Sequence, residues 1–231
     1  MRHVHLSLLF LIAIGGLAML IALWFRSEVY LFDLAANFTH LGFAVVFIGF
    51  VSGVIMQSYR MTLALGTLLV LQIPFLWNYL PTSRQEANSN QTEISVLSFN
   101  VLEINGRKEE VARYLLKQDP DILLLLEIDQ EWLSALAPLA AHYPHSLILE
   151  REKLTEPAIG NFGMALYSKY PMTSDPVFHL SRLKIPVIRT ELDIAGQPVL
   201  FFGLHLFAPL ADEDWRTNEK IASSLLPMVD P

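Results

Sequence analysis

Of 231 residues, 53% are hydrophobic and only 17% charged, with a mean hydropathy of +0.40 and no cysteine. Soluble domains carry about 25% charged residues, and the deficit here is local. Residues 1–80 hold only Arg2, Arg26, Arg60, Glu28 and Asp33, so with −7 overall the remaining chain carries −8. This excludes a single soluble domain, a disordered chain and a disulfide scaffold. The absence of cysteine also removes thiolate nucleophiles and Cys-ligated zinc.

Three charge-free stretches come first. Residues 6–25, 34–59 (most apolar over 41–56) and 61–80 each have the length that spans a hydrocarbon core, about 20 residues. They predict a transmembrane anchor over residues 1–80, with helices at about 6–25, 38–57 and 61–80. A soluble helix bundle would need a polar face, and none is visible. Pro74 is tolerable in a membrane helix. Trp24, Tyr30, Trp77 and Tyr79 fall near stretch ends, where aromatics favour the interface. Arg2 is a thin leader for a signal peptide, and no small-x-small site follows, so the first helix is read as retained. Gly15, Gly16, Gly42, Gly49, Gly53 and Gly66 predict close helix packing. A small transporter would need a polar or ionisable residue in mid-span, and none is expected. Counting positive charge places the N-terminus inside and the C-terminal domain on the non-cytoplasmic side of an integral, multi-pass protein.

Residues 81–93 are polar, with Pro, Ser and Asn, and read as a linker. Beyond them strand-like and helix-like periods alternate. Strands are expected at 94–101, 122–128, 146–150, 162–168, 177–180, 186–194 and 198–206, with helices at 107–118, 130–143 and 212–229. Asp119-Pro120-Asp121 stops the first of these helices. Ala195-Gly196-Gln197 is read as a hairpin turn, and His142 and His145 as loop residues. Buried strands alternating with helices, then antiparallel hairpins, argue for an α/β sandwich with mixed sheets over residues 94–231.

Polar side chains end three of the most apolar strands: Asn100 after "VLSF", Glu127 after "ILLLL" and His205 after "VLFFGL". A carboxylate at the end of a buried strand is costly unless paired or bound to a cation, and ligands of α/β sheets sit beyond strand C-termini. If the strands are neighbours these groups converge, and Arg189 in "PVIRTEL" could reach the same edge. The set suits phosphoester cleavage. A hard cation such as Mg²⁺ or Mn²⁺ takes one or two carboxylates plus water and substrate oxygen. Glu127 would supply the charge, and Asn100 a neutral ligand or an orienting hydrogen bond. Arg189 offers a planar fork for phosphate oxygens, and His205 can exchange a proton near neutral pH. Taken singly, each has a plainer reading. Asn100 could close a turn before Gly106, Glu127 and Asp129 could introduce a helix, and His205 could be a core histidine. Asp212–Asp214 reads as the start of the final helix. No His pair has zinc-ligand spacing, and there is neither a Gly-rich phosphate loop nor a Gly-x-Ser-x-Gly elbow.

In order and spacing, "SVLSFNV", "QDPDILLLLEID", "NFGMALYSKYPM", "IRTEL" and "VLFFGLHLFAP" resemble the deoxyribonuclease I-like endonuclease/exonuclease/phosphatase superfamily, over residues 94 to about 226. The likeness extends to its bacterial members with a few N-terminal membrane helices. The resemblance implies a two-layer α/β sandwich and Mg²⁺-dependent phosphoester hydrolysis by in-line attack of water. It makes Asn100 the first-strand Asn near metal and phosphate, Glu127 the metal ligand, Arg189 a phosphate contact and His205 the His of the "HL" strand. Asn161 stands at a supporting position. The expected substrate is a phosphoester of nucleic acid, lipid or small molecule, with membrane lipid as the other partner and no protein partner. In that family a Gly-Asp-x-Asn strand and a terminal Asp-His pair follow the helix matching 215–229. The chain ends before them, so it is read as a C-terminally incomplete piece with an incomplete active site. The alternative is a catalytically inactive, membrane-tethered binding module of the same fold.

Overall fold

The computed structural model describes residues 2–77, 92–150, 162–172, 177–180 and 185–229. The chain divides into two compact units, Met1–Glu86 and Ala87–Pro231.

The first unit is helical: α1 (Arg2–Trp24), α2 (Tyr30–Ala36), α3 (Thr39–Ile55) and α4 (Tyr59–Leu76). Two helices, Val4–Trp24 and Tyr59–Leu76, are long and apolar enough to cross a membrane, and α2 with α3 forms a third candidate bent by 66°. The helix expected at about 38–57 is α3, and the separate short α2 precedes it across the bend. Leu9, Leu20, Val46, Leu65 and Leu68 form the unit's interior. Close packing explains most of its glycines: a Cβ on Gly16 would lie 2.7 Å from Val46, and one on Gly53 would meet the Thr62 backbone at 3.3 Å. Gly15 faces open space and packs against nothing. The expectation of no polar group in mid-span is corrected by Gln72. This fully buried side chain of α4 donates from Nε2 to the Gly16 carbonyl of α1 at 3.3 Å, a cross-helix bond typical of membrane packing.

The second unit is α/β. A four-stranded mixed sheet has the order β1 (Val96–Asn100), β2 (Ile122–Leu126), β4 (Met164–Ser168), β3 (His145–Leu149); β1 and β2 are parallel, the other pairs antiparallel. A second, antiparallel sheet joins β5 (Val177–Leu180), β6 (Ile185–Ile194) and β7 (Gln197–Leu204). Because strand side chains alternate, β2 feeds two cores. Leu123 and Leu125 pack with Leu115, Trp132, Leu139 and Tyr143 of the helices α5 (Lys108–Gln118), α6 (Gln130–Ala135) and α7 (Ala137–His142). Ile122 and Leu124 instead meet Ile188, Leu192 and Ile194 of β6, closing sheet on sheet. The outer face of the second sheet, with Val187, Phe202 and Leu204, is covered by Ile221 and Leu225 of α8 (Asp212–Val229). The described layers are thus helix, mixed sheet, antiparallel sheet and helix, a partial α/β sandwich.

Three local readings change. The helix expected over 130–143 is two helices joined at Leu136, with Pro138 in the first turn of α7, where its missing N–H costs least. His142 ends α7 and pairs with Asp119 at 2.9 Å, and His145 opens β3, so neither is a loop residue. The β6–β7 turn has two residues, Ala195 and Gly196, both at positive φ, with Ile194 paired to Gln197. Positive φ at both central positions is the hairpin geometry that matches strand twist.

Candidate active site

Parallel register sets Asn100 opposite Leu126, so Asn100 and the following Glu127 end neighbouring strands at one sheet edge. Asn100 Nδ2 donates to Glu127 Oε1 at 2.7 Å, and Asn100 Oδ1 accepts the Leu102 N–H at 2.9 Å. A backbone N–H can only donate and a carboxylate only accepts, so these partners fix the amide orientation. Asn100 thus donates to the Glu127 carboxylate. Glu127 sits at φ 64 and Leu102 at φ 60, left-handed positions costly for residues with a Cβ. Such strain concentrates at functional sites.

The loop beyond β1 is held from below. Trp132 Nε1 donates to the Leu102 carbonyl at 3.3 Å, and Lys108 Nζ reaches the Glu103 and Asn105 carbonyls at 3.3 and 3.2 Å. Lys108 also lies 5.4 Å from the Trp132 ring centre and 3.3 Å from Glu131. Neither residue stands out in sequence, where a lysine opening a helix reads as a solvated charge. Asp129 caps α6, accepting the Trp132 N–H at 2.7 Å; Glu127 makes no such bond.

The second sheet supplies His205. A Cβ on Gly203 would lie 3.1 Å from Leu124, so the glycine lets β7 approach β2 closely. Two residues on, His205 Nε2 stands 3.6 Å from Glu127 Oε1, and its ring packs 4.8 Å from Phe162. The imidazole is 12% exposed. Burial pushes its pKa below the ordinary value, with the Glu127 carboxylate opposing. Its Nδ1 is buried without a hydrogen-bond partner among the described residues.

Arg189 does not join this group. It pairs with Phe202, beside Val187 on the face that α8 covers, whereas Ile188 and Gly203 share the face toward Glu127. Alternation along β6 decides this: Ile188, Leu192 and Ile194 pack toward β2, so Arg189 falls on the other face. Asn161 lies outside the described residues.

Among the described residues no three His, Asp or Glu side chains are grouped to hold a metal. The donor chemistry nevertheless fits a hard cation. Glu127 is partly exposed, and its Oε2 has only a 3.5 Å approach from the Glu103 N–H. Mg²⁺ keeps several waters and needs only one or two carboxylates.

A partial sandwich of two sheets, with amide, carboxylate and imidazole meeting beyond the ends of β1, β2 and β7, defines an α/β protein with a polar site at one sheet edge. The family model described as Endonuclease/Exonuclease/phosphatase family matches residues 97–227, and the chain belongs to this family. Similar solved structures include TDP2 from C. elegans, at 18% identity and TM-score 0.50, covering 84% of this chain and 60% of that one. An endonuclease/exonuclease/phosphatase from Beutenbergia cavernae is 18% identical, with TM-score 0.49 and coverages of 59% and 44%. The human Nocturnin catalytic domain is also 18% identical, with TM-score 0.46 and coverages of 58% and 59%. The chain therefore spans 44–60% of the length of these structures. No curated protein sequence matches it.

Proposed function

We propose that the protein is a membrane-anchored, divalent-metal-dependent phosphoester hydrolase. The carrying observation is the meeting of Asn100, Glu127 and His205 at one edge, with Glu127 in a strained backbone conformation, in a chain of this family. Glu127 would hold Mg²⁺ or Mn²⁺, with Asn100 fixing the carboxylate. The cation, when bound, supplies a Lewis acid to the phosphoryl oxygen. His205 places its Nε2 beside the carboxylate, where an imidazole can hold or pass a proton. Arg189 would take part only if β6 or α8 moved, and Asn161 is carried by the resemblance alone. The anchor reading is supported by the outward faces of the helical unit. Val4, Leu11, Ile48, Ile55, Leu63 and Val70 are all exposed, an apolar surface that water does not tolerate and lipid does.

The test uses the full chain in detergent, with Mn²⁺ binding followed by electron paramagnetic resonance and Mg²⁺-dependent hydrolysis of bis(p-nitrophenyl) phosphate. Wild type binds and turns over. Glu127→Gln loses more than about a hundredfold in both, as expected for the charged ligand of a hard cation, while the fold is kept. Unchanged Mn²⁺ binding in Glu127→Gln sinks the metal assignment, and turnover that persists in chelator sinks metal dependence.

A further inference from the structure

Resting on the hydrolase reading, we propose that the two loops leaving the site form a lipid-inserting rim, and that the substrate is a phosphoester borne by a zwitterionic membrane lipid. The two most exposed large apolar side chains among the described residues of the second unit are Ile104, 84% exposed, and Leu210, 85% exposed. Both lie in loops that also carry site groups. Ile104 follows Leu102 and Glu103, whose N–H groups meet Asn100 and Glu127. Leu210 follows His205 through the uncharged run Leu206-Phe207-Ala208-Pro209. Leu102 and Leu206, next to the site residues, are exposed as well.

Neither loop is loose. Trp132 and Lys108 bind the carbonyls of the first. In the second, Asn218 takes both backbone groups of Phe207, at 3.1 and 2.9 Å. Side chains held outward on braced loops would cost exposure for nothing in water, whereas transfer to an apolar phase returns that cost.

Charge selects the occupant. Glu103, Asp129, Glu131 and Asp212–Asp214 lie in or beside these loops, against the bases Arg107, Lys108 and Arg216, which are themselves paired with Glu110, Glu131 and Asp212. A polyanion such as nucleic acid gains affinity from clustered unpaired basic groups, and this edge offers an excess of acid instead. A zwitterionic lipid surface presents no such repulsion, and its ammonium groups complement the acids. The same chain carries helices apolar enough to cross a bilayer.

The natural absence of cysteine makes the test direct. Single variants Ile104→Cys, Leu210→Cys and, as a control in the last turn of α5 and so away from the site, Lys117→Cys are labelled with an environment-sensitive fluorophore. Each full chain is placed in phosphatidylethanolamine-containing nanodiscs with nitroxide-labelled lipid. Blue shift and quenching are expected at 104 and 210 and not at 117; absence of quenching at both overturns the rim. In mixed micelles, dioleoyl phosphatidylethanolamine should be hydrolysed faster than glycerophosphoethanolamine or a single-stranded oligonucleotide. The double variant Ile104→Ser/Leu210→Ser should lose at least about tenfold in kcat/KM on the lipid, and nothing on bis(p-nitrophenyl) phosphate. Equal lipid rates in the double variant, or faster cleavage of the oligonucleotide, overturn the inference while the hydrolase reading stands. Failure on the aryl diester overturns the hydrolase reading itself, and the lipid substrate with it.

Discussion

At the scale of single residues, the site depends on Asn100 spending both ends of its amide. The nitrogen holds Glu127 and the oxygen holds the Leu102 N–H, so one side chain links the carboxylate to the left-handed turn beside it. Asn100→Ala should weaken Mn²⁺ binding and lower kcat by about 10–100-fold, the usual effect of removing a hydrogen-bond partner of a ligand. Because Asn100 is exposed, thermal unfolding should change little; a large drop in Tm with unchanged Mn²⁺ affinity would make the residue structural. Asn100, Glu127 and His205 were legible because a polar group closing an apolar strand conflicts with burial. Lys108 and Trp132 were not, since their role rests on backbone carbonyls that no residue pattern announces. Arg189 was expected to reach the same edge, and the alternation of β6 puts it on the other face.

At the scale of elements, the end of β2 away from the site is tied by a polar cluster. Asp121 Oδ2 accepts both the N–H and the hydroxyl of Ser95, at 2.8 and 2.7 Å, linking β2 to the entry of β1. Lys169, just after β4, lies 3.0 Å from Asp119 and 3.4 Å from Asp121, and His142 of α7 meets Asp119. The Ser95 hydrogen bonds hold the Asp121 pKa below the ordinary carboxylate value, and those of His142 and Lys169 do so for Asp119. A depressed carboxylate stabilises the fold above its unfolded pKa, about 3.9, and that stability is lost as pH falls through the lower folded value. Urea unfolding of the second unit's near-ultraviolet signal should therefore weaken below pH 4. Asp121→Asn should cost about 1 kcal/mol at pH 7 and flatten that acid slope. A slope as steep as wild type would place the acid sensitivity elsewhere. Asp119 reaches these partners from a left-handed helix end at φ 45, a geometry that Pro120 foreshadows but does not determine.

At the scale of the whole molecule, a nearly charge-free helical unit precedes an acidic α/β unit. The anchored reading predicts that the full chain stays in the membrane pellet through alkaline carbonate extraction and is released only by detergent. Recovery in the carbonate supernatant would reject it. Composition alone carried that division, because charge density differs between the units more than either differs from ordinary proteins of its kind.

By itself the sequence determined the element types, the two-part organisation and the three polar strand ends. These follow from local periodicity and from the cost of placing charge in apolar surroundings, both written within a few residues. Only the tertiary structure decided the partition of strands into two sheets, the break between α2 and α3, the buried Gln72 and the face occupied by Arg189. Those depend on pairings between residues far apart in the chain and on register.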